Sequence, residues 1–147
     1  MSELRIQAED FDPGMEIAAL AEAAGNPGAL ASFIGLVRGD NGLIAMTLDH
    51  YAGFAEREIA SHIAKAKERW PLLGVRVVHR VGRLIPKDRI VFCAAASSHR
   101  EAAFEACEFL MDYLKTRAPF WKLEERTGGA NWVAARAEDD ERVRRWR

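Results

Sequence analysis

The chain has 147 residues, 49% of them apolar and 29% charged, and a formal net charge of −1. That balance suits one globular domain with a sizeable core and gives bulk electrostatics no hold on nucleic acid or an anionic membrane. No run approaches the roughly 20 apolar residues of a bilayer span, the first dozen residues hold no signal-peptide core, and two cysteines (Cys93 and Cys107) cannot build a disulfide framework or a zinc site, so a reduced, cytoplasmic protein is expected.

Leu4 and Ile6 alternate with polar residues in a short first strand. Asp12 followed by Pro13 reads as the cap and first residue of a helix, with Ile17, Leu20, Ala21 and Ala24 as its apolar stripe and Gly25 as its end. Gly28 to Val37 is nearly all apolar, which suits a strand buried on both faces. Asp40-Asn41-Gly42 is a turn, and Leu43 to Tyr51 the returning strand. A second helix spans about Phe54 to Trp70, stopped by Pro71. Val75, Val77, His79 and Val81 alternate in a strand that pairs, through the Pro86-Lys87-Asp88 turn, with Ile90 to Ala96.

Ser98-His99-Arg100-Glu101 has the spacing of a capping box, with Ser98 as cap and Glu101 three residues on. It opens a strongly amphipathic helix with Ala103, Ala106, Cys107, Leu110, Met111 and Leu114 on one stripe, ended by Pro119. Phe120 to Glu125 reads as a strand, Gly128-Gly129 as a turn and Trp132 to Ala134 as a short strand. After Glu138 the tail alternates acids and arginines, a solvated helix or a frayed end. The sum is α+β: antiparallel strands with about three packed helices in one domain, residues 1–147.

Several side chains have two readings. His99 and Arg100 fall at the first two positions of a helix, where cations are normally disfavoured. They either await an anion at the free N–H groups or point to solvent, and local sequence favours solvent. Lys115 complements the C-terminal end of the same helix. Lys122 shares a strand face with Phe120 and Glu124. Partial burial would make it a base; the local sequence favours a snorkelling stem. Arg38 and Arg136 are phosphate clamps or plain edge charges. His50 and His79 lack a third ligand at metal spacing, and both cysteines read as small buried apolar groups. Gly128-Gly129 is followed by more chain, so it is no carrier tail.

The string Met111-Asp112-Tyr113-Leu114-Lys115-Thr116-Arg117-Ala118-Pro119-Phe120-Trp121-Lys122 resembles the signature segment of the molybdopterin synthase large-subunit family. Ser98-His99-Arg100 with Ala103-Phe104, Phe33 to Arg38, Leu48 to Tyr51, Arg69-Trp70-Pro71 and His79 to Gly82 are similar to other parts of it. The resemblance implies an α/β-hammerhead fold and a central homodimer, each copy binding a small ubiquitin-like subunit whose C-terminal Gly-Gly carries a thiocarboxylate. It implies conversion of cyclic pyranopterin monophosphate to molybdopterin in two sulfur transfers within a heterotetramer, with no metal or other cofactor.

On the same resemblance Lys115 and Lys122 match the catalytic lysines, and Arg38, His99, Arg100 and Arg136 the anion-binding set. His99 and Arg100 are expected from the neighbouring protomer, and Phe33 and Met111 line the pocket. Two other classes compete: a docking module without catalysis, against which both lysines argue, and a phosphate-ester enzyme, for which the sequence offers no nucleophile or metal cluster.

Overall fold

The computed structural model describes residues 3–133 and 137–146. Its strands are β1 (Leu4–Gln7), β2 (Ala29–Leu36), β3 (Leu43–His50), β4 (Leu72–Arg80), β5 (Gly82–Leu84), β6 (Arg89–Ser97), β7 (Phe120–Arg126) and β8 (Gly129–Val133). The helices are α1 (Pro13–Ala23), α2 (Phe54–Arg69), α3 (Arg100–Thr116) and α4 (Ala137–Arg144). The strands form two four-stranded sheets, in the orders β1-β4-β6-β2 and β5-β3-β7-β8. Only β1 runs parallel to its neighbour, so the α+β expectation holds.

Alternation explains why β6 is buried throughout. Its Phe92, Ala94 and Ala96 pack with Val78 of β4 against Phe11 and Leu20, under α1. Its Val91, Cys93 and Ala95 point the other way, into the larger core with Ile59 and Ile63 of α2 and Ala103, Ala106 and Leu110 of α3. That core continues into Met46, Leu48 and Leu84 of the second sheet. Under α1, Glu16 accepts from Arg5 at 2.6 Å and from buried Arg76 at 2.7 Å. Burial works against the Glu16 carboxylate, but these two guanidinium hydrogen bonds outweigh it and lower its pKa.

Three expectations are corrected and one open alternative is decided. The Gly28–Val37 run is not buried on both faces: β2 is an edge strand, and Phe33, Ile34 and Leu36 are exposed. The strand after Asp40–Gly42 does not return along β2; it crosses to the second sheet and pairs with β5 and β7. The turn between them is one 3₁₀ turn with Asn41 at φ 54°. There are four α-helices among the described residues, not about three. Of the two readings of the tail, the helix holds: α4 is followed by Trp146, which packs edge-on against Trp70 and Phe109.

Candidate functional site

α3 carries Arg100, Met111 and Lys115, with His99 at its cap, and its two ends differ. At the start, His99 rather than Ser98 is the N-cap residue, and no side chain makes the capping hydrogen bond. The predicted capping box is therefore absent, and Arg100 is the first helical residue. Among the described residues neither His99 nor Arg100 makes a side-chain hydrogen bond or ion pair, and both are exposed. A cavity of about 550 Å³ lies here, bordered by Gly28 and Ala29 of the β2 approach and by Ser98, His99, Arg100 and Glu101. Gly28 is required: its N–H donates to Ser97 at 3.0 Å, and a Cβ there would sit 2.1 Å from the Ser98 carbonyl oxygen.

Further along the same β2–α3 seam is a second cavity of about 470 Å³. Ser32 and Phe33 of β2, Phe104, Cys107 and Met111 of α3, and Arg142 of α4 line it. The structure thus brings Phe33 and Met111 together, as expected. Cys107 lines this cavity too, although it is almost wholly buried and its thiol donates to the Cys93 carbonyl at 3.4 Å. Buried Asp112 stands beside the cavity and accepts from Arg145 at 2.9 Å and from the Trp146 indole at 2.6 Å. Arg145 also pairs with Glu108, and these two carboxylates raise its pKa.

At the far end the chain leaves α3 through Arg117–Pro119, whose Arg117 and Ala118 N–H groups both donate to the Tyr113 carbonyl. It enters β7 with Phe120 opposite His50 and Lys122 opposite Leu48. The Phe120 ring lies flat on His79, centroids 4.0 Å apart and planes within 10°. His50 approaches the same ring at 5.9 Å. His79 is buried and its Nδ1 is 2.9 Å from the Arg80 carbonyl, so that nitrogen carries the proton. Burial pushes the His79 pKa down to about 4; the Arg80 hydrogen bond opposes this, and the charges of Lys115 and His50 add to it.

Lys115 is exposed and engaged with its surroundings, whereas half-buried Lys122 makes no hydrogen bond or ion pair among the described residues. Arg38 is exposed and paired with Asp40 at 2.5 Å. Neither cavity is lined by Arg38, Lys115 or Lys122. Arg136 lies outside the described residues. Among the described residues, His99 and Arg100 therefore share neither cavity with Arg38, Lys115 or Lys122. Helix rise alone separates the backbones of Arg100 and Lys115 by about 22 Å.

The reading of sequence missed Asp112, whose partners lie more than thirty residues away, and it left His50 and His79 without a role. The only local signal for His79 was a polar ring in an otherwise apolar alternation. No group of three or more His, Cys, Asp or Glu among the described residues is placed to hold a metal ion.

The chain matches the model of the MoaE protein family over residues 6–117. It is 52% identical over 147 residues to the molybdopterin synthase catalytic subunit of Mesorhizobium japonicum, covering 98% of this chain and 92% of that one. It resembles the solved molybdopterin biosynthesis MoaE protein of Burkholderia ambifaria with a TM-score of 0.87 and 50% identity, over 99% of this chain and 98% of that chain. A fold likeness at TM-score 0.76 and 22% identity, over 92% of each chain, extends to a protein–protein complex of subunits 1 and 2 of the molybdopterin-converting factor of Helicobacter pylori.

Proposed function

The chain belongs to the MoaE family of molybdopterin synthase catalytic subunits, and from that premise we propose how its residues divide the work of sulfur transfer in molybdenum-cofactor biosynthesis. The whole chain acts as one domain in the cytoplasm; no helix among its described residues is long and apolar enough to cross a membrane. Its sulfur donor is a small ubiquitin-like subunit with a C-terminal Gly-Gly thiocarboxylate. A fold neighbour solved as a complex of two subunits supports such a partner. The acceptor is cyclic pyranopterin monophosphate.

The thiocarboxylate sulfur attacks an electrophilic carbon of the pterin side chain as a carbon–oxygen bond there breaks, the oxygen leaving as the ring-opened phosphate in one round and as water in the other; water then hydrolyses the acyl–sulfur bond, leaving sulfur on the pterin and a carboxylate on the tail. Two rounds give the dithiolene. Holding both reactants removes much of the entropic barrier. Lys122 moves protons at the pterin side chain. Lys115 holds the tail carbonyl and stabilises the oxyanion that develops on it.

Arg38, His99, Arg100 and Arg136 bind the phosphate and pterin, with Phe33 and Met111 against the ring. His99 and Arg100 serve the site of the neighbouring protomer. The separation along α3 supports that division, because these cations cannot converge with Lys115 of their own chain. The open, apolar edge of β2 supports a homodimer: Phe33, Ile34 and Leu36 are the groups a second copy would cover. Two such copies, each with a small subunit, make a heterotetramer.

The observation that supports this reading is the short turn from α3 into β7, which follows Lys115 and leads to Phe120, stacked on His79, two residues before Lys122. Reconstitution tests it. The purified chain, a thiocarboxylated small subunit and the cyclic pterin precursor should yield molybdopterin, and omitting the thiocarboxylate should abolish it. Product formed equally well from free sulfide without the small subunit would overturn the donor assignment.

A further inference from the structure

We propose that Cys93 and Cys107 form a two-cysteine oxidation site: Cys107, on the wall of the β2–α3 cavity, takes a small peroxide, and Cys93 behind it closes a disulfide. The effect on the reaction rests on the role given to that cavity above.

The chain has two cysteines, and the fold brings them together from a strand and a helix. Cys93 lies midway along β6, between Phe33 of β2 and Val77 of β4, and is fully buried. Cys107 lies on α3, which packs on that strand, and its thiol donates to the Cys93 carbonyl at 3.4 Å. Both side chains are free thiols and belong to one apolar cluster. Their neighbours Ala95, Ala103 and Ala106 show that a methyl group is enough to pack this helix–sheet contact. Only Cys107 also reaches the cavity of about 470 Å³, where it stands with Phe33, Phe104 and Met111. The cavity thus offers a route to one sulfur, and the other waits in the core behind it.

The chemistry of the pair assigns an order. The thiolate is the form that attacks a peroxide. The Cys93 thiol donates to the Cys107 sulfur, which raises the Cys93 pKa, as burial also does, and lowers that of Cys107 against the opposing effect of burial. Cys107 therefore ionises first. Its sulfur attacks one peroxide oxygen, the O–O bond breaks, hydroxide leaves, and Cys107 becomes a sulfenic acid. The Cys93 sulfur then attacks the sulfenic sulfur; the S–O bond breaks, the S–S bond forms, and the Cys93 proton leaves with the oxygen as water. Together, two thiols and one peroxide give one disulfide and two waters, each sulfur losing one electron and the peroxide gaining two. The bond ties β6 to α3 one helical turn before Met111, which shares the Cys107 face and the cavity. Drawing that turn of α3 onto the strand changes the slot between Met111 and Phe33.

The test treats the purified full chain with hydrogen peroxide and then removes the peroxide with catalase. Both thiols should disappear together, the chain should become about 2 Da lighter without cross-linking to a second copy, and dithiothreitol should restore both. Digestion without reductant should yield one peptide pair joined through Cys93 and Cys107. Cys93→Ala should leave on Cys107 a sulfenic acid that dimedone traps. Cys107→Ala should leave Cys93 oxidised about tenfold more slowly than Cys107 is in Cys93→Ala. Both thiols surviving a peroxide dose that fully oxidises free cysteine, or sulfinic acid on Cys107 in place of the disulfide, would overturn the site; both are read on the unsubstituted chain, whatever the variants do to folding. Equal oxidation of Cys93 with and without Cys107 would overturn the order. Reconstituted with the thiocarboxylated small subunit after peroxide removal, the oxidised chain should form molybdopterin about tenfold more slowly, and dithiothreitol should restore the rate. A mapped disulfide with an unchanged rate would take the cavity out of the reaction and leave the oxidation site standing.

Discussion

α3 is a helix of 17 residues whose N-terminal end leaves two cations, His99 and Arg100, unengaged beside a cavity. Its C-terminal end leads into a turn packed between two sheets, with Phe120 clasped by His79 and His50. Glu101 in the first turn complements that helix end, but His99 and Arg100 make no ion pair among the described residues, so an incoming anion would meet them unpaired. The other end has its aromatic contacts built in. Binding groups can wait in solvent for their ligand, because the ligand's charge orders them on arrival. Groups that act on a reacting atom must be held beforehand, because small misplacement costs rate.

The strongest way to break this contrast is Lys122→Ala. Loss of a positioned acid–base group costs roughly 10²- to 10⁴-fold in rate. The variant should keep its fold and its oligomeric state, by circular dichroism and sedimentation, and lose dithiolene formation to that degree. Activity within a factor of three of the unsubstituted protein would remove Lys122 from the chemistry.

The division between protomers gives a second test. Arg100→Ala should weaken pterin phosphate binding about tenfold, the scale of one charge-assisted contact. Co-assembled with Lys122→Ala, it should regain activity, since half the mixed dimers' sites then carry neither substitution. At equal mixing, that restores about a quarter of full activity. Mixtures no more active than the separate variants would place Arg100 and Lys122 of one chain in the same site.

Acid stability sharpens the contrast further. His79 has its pKa lowered from 6.5 to about 4, so the folded state favours the neutral ring. Its contribution is present above pH 6.5 and is lost as pH falls from 6.5 toward 4. The size is on the order of 3 kcal/mol. Urea unfolding at pH 7 and pH 4.5 should show a larger fall for the unsubstituted protein than for His79→Phe. Equal falls would mean that the imidazole is not held neutral by the fold.

Much of this was legible in the sequence, where the deciding interactions are local. Asp12-Pro13 marked α1, the Pro71 stop bounded α2, and the apolar stripe defined α3. The 111–122 string pointed to the lysines through its resemblance to the family's signature segment; read locally, Lys115 complements a helix end and Lys122 snorkels. The rest depended on contacts distant in sequence. A continuous apolar run reads the same whether a strand is covered by its own chain or left at an edge, so β2 was misjudged. Nothing in Asp40-Asn41-Gly42 tells whether the following strand joins the same sheet or another. Trp146 looked like part of a charged tail because its partner, Asp112, stands 34 residues away in sequence.

The smallest expected effect separates two caps that look alike in sequence. Asp12 and Ser98 each precede a helix, and each has a carboxylate or hydroxyl of the right type. In the structure Asp12 accepts from the Met15 N–H at 3.1 Å, whereas α3 begins one residue later than Ser98 predicts, with His99 in the cap position and no side-chain acceptor. Asp12→Ala should therefore cost about 1 kcal/mol in chemical denaturation, the usual loss for a capping side chain. Ser98→Ala should change stability by less than about 0.5 kcal/mol, as for an uninvolved surface position. Its effect should instead be felt in phosphate binding, because Ser98 borders the cavity at the uncapped end. If Ser98→Ala proved as destabilising as Asp12→Ala, the first turn of α3 would be capped after all, and its N–H groups would be less free to meet an anion.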